Sequence, residues 1–166
     1  MSDEQPNWVE RRVNRSRILA EQSEDIWQTV RAAIQDACNS FQHHFGQPSV
    51  AEKALTCVPE NSHRLLVSNT IQPDRIKNFH TTKRTILIEF DEDEFIVRAT
   101  VDRRTPVSFS IVADDTHAFL IHHKEEITPD RLSQLVLEEF LFSKPERTTP
   151  TLHPRGGGEP NAWMGD

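Results

Sequence analysis

The chain has 166 residues, room for one domain of ordinary size, and its 36% hydrophobic and 27% charged residues suit a soluble fold with polar excess. Nineteen Lys and Arg against 26 Asp and Glu leave a formal charge of −7, which argues against a general affinity for phosphate backbones. Nucleic acid is therefore not an expected partner. Nor is a membrane, because no run approaches the ~20 apolar residues of a span.

The opening Met1-Ser2-Asp3-Glu4-Gln5-Pro6 lacks the basic and apolar regions of a secretion signal. The two cysteines, Cys38 and Cys57, stand too far apart in sequence to suggest a disulfide framework or a thiolate zinc site, so both read as reduced and structural. A cytoplasmic location is the expectation.

Residues 1–15 carry Glu and Arg with little apolar rhythm beyond Trp8, Val9 and Val13, and read as a mobile arm able to extend a helix. From Ser23 onward Ile26, Trp27, Val30, Ile34, Ala37, Cys38, Phe41 and Phe45 recur at the three- and four-residue steps of one helical face. Gly46 and Pro48 then stop it. Ser23, before Glu24 and Asp25, is one candidate N-cap; Ser16 is the other, and the spacing favours one long helix, bent near Ser23.

The middle of the chain changes period. Residues 50–58 and 64–71 are short strand-like runs around the turn-prone Pro59-Glu60-Asn61-Ser62. A polar, basic stretch over 72–82 reads as a loop or short helix. Beyond it, Ile86, Ile88, Phe90 and then Phe95, Val97, Ala99, Val101 alternate on either side of Asp91-Glu92-Asp93-Glu94. With those four as the loop, Phe90 faces Phe95, Ile88 faces Val97 and Ile86 faces Ala99. A second turn over 102–106 sets Val101 opposite Val107, Ala99 opposite Phe109 and Val97 opposite Ile111. Asp114-Asp115 leads into a last strand, residues 117–123, whose register the pattern leaves open.

Thr128-Pro129-Asp130 is a helix start, with Thr as N-cap, Pro in the first turn and an acid at the positive end of the dipole. Leu132, Leu135, Val136, Phe140 and Leu141 supply its stripe, and Ser143-Lys144-Pro145 ends it. Residues 144–166, rich in Thr and Pro and including Gly156-Gly157-Gly158, read as a disordered tail. The fold class is thus α+β: a long N-terminal helix, an antiparallel meander of about five or six strands and a C-terminal helix, forming a single domain over 16–143.

The search for chemistry returns little. His43-His44 and His122-His123 are adjacent pairs whose side chains diverge, so metal binding would need Glu89 or Glu125 to converge on them; surface histidines explain them better. The acidic run 91–94 lacks the glycine and distant Glu of a calcium loop and reads as a solvated hairpin tip. No nucleophile elbow or Cys-His signature is present, and Gly156-Gly157-Gly158 is no phosphate loop. No catalytic residue, metal ligand or cofactor is assigned, and the reading leans away from an enzyme.

Two features remain. Arg75, Lys77, Lys83 and Arg84 surround Phe79 and His80, a basic loop suited to an acidic partner. The second sheet face mixes Leu87, Ile96, Val112 and, in one register, Leu120 with Glu89, Arg98, Thr100, Ser108 and Ser110, and is too apolar to be an indifferent solvent face. The expected function is a non-catalytic interaction module, binding a protein partner or itself through the sheet face or an edge. The alternative is a small-ligand or enzyme domain with a pocket between the curved sheet and the first helix, near Arg98, Ser110 and His122.

Overall fold

Asn7 caps a helix: its side-chain oxygen accepts the Val9 N–H at 3.2 Å, and the Glu10 carboxylate accepts the Asn7 N–H at 3.2 Å. That helix, α1, runs unbroken over Trp8–Phe45. Part of the expected arm therefore belongs to it, and Ser23 is a buried residue inside it rather than its N-cap. The computed structural model describes residues 7–45, 55–71 and 82–142. The expected tail, 144–166, lies outside them. No described helix is long and apolar enough to cross a membrane.

Seven strands follow: β1 (Leu55–Asn61), β2 (Arg64–Ile71), β3 (Thr82–Asp91), β4 (Ile96–Val101), β5 (Val107–Ala113), β6 (Ala118–His122) and β7 (Glu125–Ile127). They pair antiparallel in chain order as one meander, and α2 (Pro129–Phe142) closes the chain of elements. β7 escapes sequence reading because its hairpin has no glycine. His123 and Lys124 both take left-handed φ, 49° and 67°, which two-residue hairpins require and Asn-Gly usually supplies.

Strand faces agree with the alternation in the sequence, while two registers differ from it. Phe90 pairs with Val97, Ile88 with Ala99 and Ile86 with Val101, each one step of two residues away from expectation. Asp91 is the cause: its carboxylate accepts the Asp93 and Glu94 N–H groups at 3.1 Å, so it ends β3 and the turn occupies 92–95. In the next hairpin Val97 pairs with Phe109 and Ala99 with Val107, so that Val101 pairs with β3 alone. β1 reaches Asn61, which puts Pro59 in a strand; the edge position tolerates its missing N–H.

Inward-facing Leu65, Val67, Ile86, Ile88, Val97 and Phe109 are all fully buried, beneath Trp27, Val30 and Ile34 of α1 and Leu132 of α2. Thr128 caps α2 as expected, its hydroxyl accepting the Arg131 N–H at 3.2 Å. The α2 stripe is Leu132, Ser133, Val136, Leu137 and Phe140; Leu137 takes the place expected of Leu135, which is 39% exposed.

Along α1 one line of docked residues falls at four-residue steps, with Ser23 and Trp27 buried beside it. Asn14 donates to the Asp115 carbonyl at 3.1 Å, Ile18 is buried, and Gln22 accepts the Ala118 N–H at 2.8 Å. Ile26, Val30, Ile34 and Cys38 pack into the core, and Gln42 donates to the Leu55 carbonyl. Each four-residue step advances about 40° past a full turn, so this line winds around the helix as it crosses the sheet. A twisted sheet demands such a path. The helix thereby runs from the β5–β6 turn to β1.

Candidate functional site: the uncovered sheet face

Both helices pack against the same side of the sheet, and among the described residues nothing covers the other side. Its composition follows from the register. One row is charged: Arg64, Glu89 and Arg98 stand side by side on β2, β3 and β4, in alternating sign. Arg64 binds Glu89 at 2.6 Å, while Arg98 turns to Asp91 at 2.9 Å and to Glu94. The Arg98 hydrogen bond, with the Glu94 and Asp93 N–H groups, holds the Asp91 carboxyl below the usual carboxylate range.

The flanking rows carry the apolar side chains of this face. Val58, Leu66 and Leu87 line up across β1, β2 and β3. On the other side Ile96, Ser110 and Ile121 cross β4, β5 and β6, with Val112 beside Phe119. Val58 is 53% exposed and the others half-buried. The sequence pattern does not assign Val58, Arg64, Leu66, Phe119 or Ile121 to this face. The alternation of Arg64 and Leu66 against buried Leu65 and Val67 carried the signal in β2, but Phe119 and Ile121 needed the last register.

That register is decided by Asp114. Its Oδ1 accepts the Thr116 and His117 N–H groups, both at 2.8 Å, and the Thr116 hydroxyl at 2.8 Å. These bonds hold its pKa down at about 2. They fold 114–117 into a turn, pair Ala113 with Ala118, and send Leu120 and His122 inward. Leu120 accordingly lies in the core, not on the second face.

Arg98, Ser110 and His122 are not brought together. Arg98 and Ser110 lie on the uncovered face, whereas His122 lies on the inner side, its ring 4.6 Å from that of Phe109 and its Nδ1 3.2 Å from the Ser108 carbonyl. The space between sheet and α1 where they were expected to line a pocket is filled by Trp27, Phe109 and their neighbours, with no exposure to solvent.

Of the basic loop, Arg75, Lys77, Phe79 and His80 lie outside the described residues. Lys83 is exposed on β3. Arg84 points the other way, bound to Asp102 at 3.0 Å and lying 5.2 Å over the Phe140 ring, so it fastens β3 to α2.

A groove of about 520 Å³ separates α1 from α2, with Ala37, Phe41 and Leu137 among its apolar walls and Asp36, Asp130 and Glu138 among its carboxylates. Among the described residues no three His, Cys, Asp or Glu side chains gather as metal ligands. No protein family, curated protein or solved structure matches the chain.

Proposed function

We propose that the protein is a non-catalytic interaction module that associates with a second copy of itself through the uncovered sheet face. One observation carries the reading: seven apolar side chains on a face that neither helix covers, arranged in rows about a charged row of alternating sign. A two-fold contact sets a patch against itself, and a patch holding both signs and both apolar flanks is its own complement.

The edges are less suited to pairing. β7 has three residues, and β1 carries Pro59 and a register shift between Pro59 and Asn61. A cytoplasmic location belongs to the same proposal, supported by two cysteines that are both free thiols.

Sedimentation velocity over a wide concentration range tests the reading. A dimer that Leu87→Lys or Ile121→Lys turns into a monomer, with the melting midpoint of the monomeric unit retained, is the expected result. A wild-type chain that stays monomeric throughout would overturn it and favour a different protein as partner.

A further inference from the structure

α1 and β1 run antiparallel where they meet, and their repeats match. Four helical residues rise about 6 Å, two strand residues about 6.8 Å. Gln42 of α1 reaches the Leu55 carbonyl of β1. One turn back along the helix and two residues on along the strand, Cys38 therefore meets Cys57. Cys38 is 1% exposed, and Cys57 lies half-buried on the inner side of the edge strand, packed against the core that contains Cys38.

We propose that Cys38 and Cys57 form a reversible disulfide site that low-molecular-weight disulfides close. The buried thiol and the half-exposed one have different parts. Cys57 is reachable from solvent at the sheet edge; Cys38 is not.

The chemistry of the pair agrees with that division. The neighbouring Cys38 thiol lowers the Cys57 pKa, helped by the positive charge of Arg31, two turns before Cys38 on α1. The same contact, together with burial, pushes the Cys38 thiol up. Cys57 is thus the attacking sulfur and Cys38 the resolving one.

The exchange balances without any other reactant. The Cys57 thiolate attacks one sulfur of the small disulfide, whose S–S bond breaks and releases one small thiolate, which takes up the proton Cys57 gave. Cys38 then loses its proton to solvent, and its sulfur attacks that of Cys57. The mixed bond breaks and the second small thiolate leaves and is protonated. Two protein thiols are oxidised to one disulfide, and one small disulfide is reduced to two thiols. The new bond ties the C-terminal part of α1 to the edge strand.

The full chain, equilibrated with graded ratios of reduced and oxidised glutathione, then denatured and alkylated, tests this by mass. The expected product takes up no alkylating agent, has lost two hydrogen atoms, and runs as a single chain on a non-reducing gel. Its melting midpoint should rise by several degrees and fall back with dithiothreitol. Cys38→Ala should hold a lasting mixed disulfide at Cys57, and Cys57→Ala should leave Cys38 unreacted. Because Cys38→Ala opens a cavity in the core, the wild-type result decides if that variant does not fold. Two alkylated thiols at the most oxidising ratio, persistent mixed disulfides in the wild type, or a bond between chains would each overturn the assignment.

Discussion

Asp102 holds both backbone polar groups of Thr85: the Asp102 N–H donates to the Thr85 carbonyl at 2.9 Å, and the Asp102 carboxylate accepts the Thr85 N–H at 2.9 Å. The second carboxylate oxygen takes the Arg84 guanidinium at 3.0 Å. Burial alone would raise the Asp102 pKa, but the Thr85 N–H and Arg84 outweigh it and lower it. This clamp keeps the end of β4 on β3 and lengthens the turn to β5.

Removing the clamp should be costly. Asp102→Ala leaves a half-buried N–H without its acceptor and removes the carboxylate that Arg84 binds, so a loss of roughly 1–3 kcal/mol is expected. Denaturant unfolding measures it. Asp102→Asn should recover part of the loss, since the amide oxygen can still accept from Thr85.

The sheet faces can be tested by three alanines. Phe109 and Val97 are fully buried partners across β4 and β5, while Ser108 between them in sequence faces out and is exposed. Phe109→Ala should cost about 3–5 kcal/mol, Val97→Ala less but clearly measurable, and Ser108→Ala close to nothing. Inverted faces would reverse that order.

Asp114 links stability to acid. Its pKa, down at about 2, lies below the unfolded value of about 4, so the charged form is favoured by folding. That contribution is complete above about pH 4 and is lost as pH falls through both values. In wild type the melting midpoint should drop between those limits. Asp114→Asn keeps an acceptor for the turn while flattening that drop; Asp114→Ala should lower the midpoint at neutral pH as well.

Zinc should leave the melting midpoint where a chelator leaves it. His122 and His123 have ring centroids 4.0 Å apart, yet no third ligand joins them among the described residues. Two ligands fall short of the four-coordinate site zinc favours. A midpoint raised by zinc and lowered by chelator would show a metal site.

Local rules carried much of the fold. Thr128 and Pro129 announce α2 by themselves, because capping and a fixed φ are properties of neighbouring residues. The alternation of Ile86, Ile88 and Phe90 against Val97 and Ala99 determines which side chains turn inward, whatever the hairpin length. The two shifted registers moved by an even step, which preserves parity, and so the core residues of β3, β4 and β5 are those the pattern names.

What needed the tertiary structure is everything set by contacts distant in sequence. Asp91, Asp102 and Asp114 choose the turn lengths through bonds whose geometry the composition of a turn does not state. β7 exists because Glu126 finds Ile121, despite a turn without glycine. Which sheet face the two helices cover depends on both choosing one side. Cys38 and Cys57 meet only because a helix stepping by four runs beside a strand stepping by two, so their separation in sequence concealed a contact that packing alone creates.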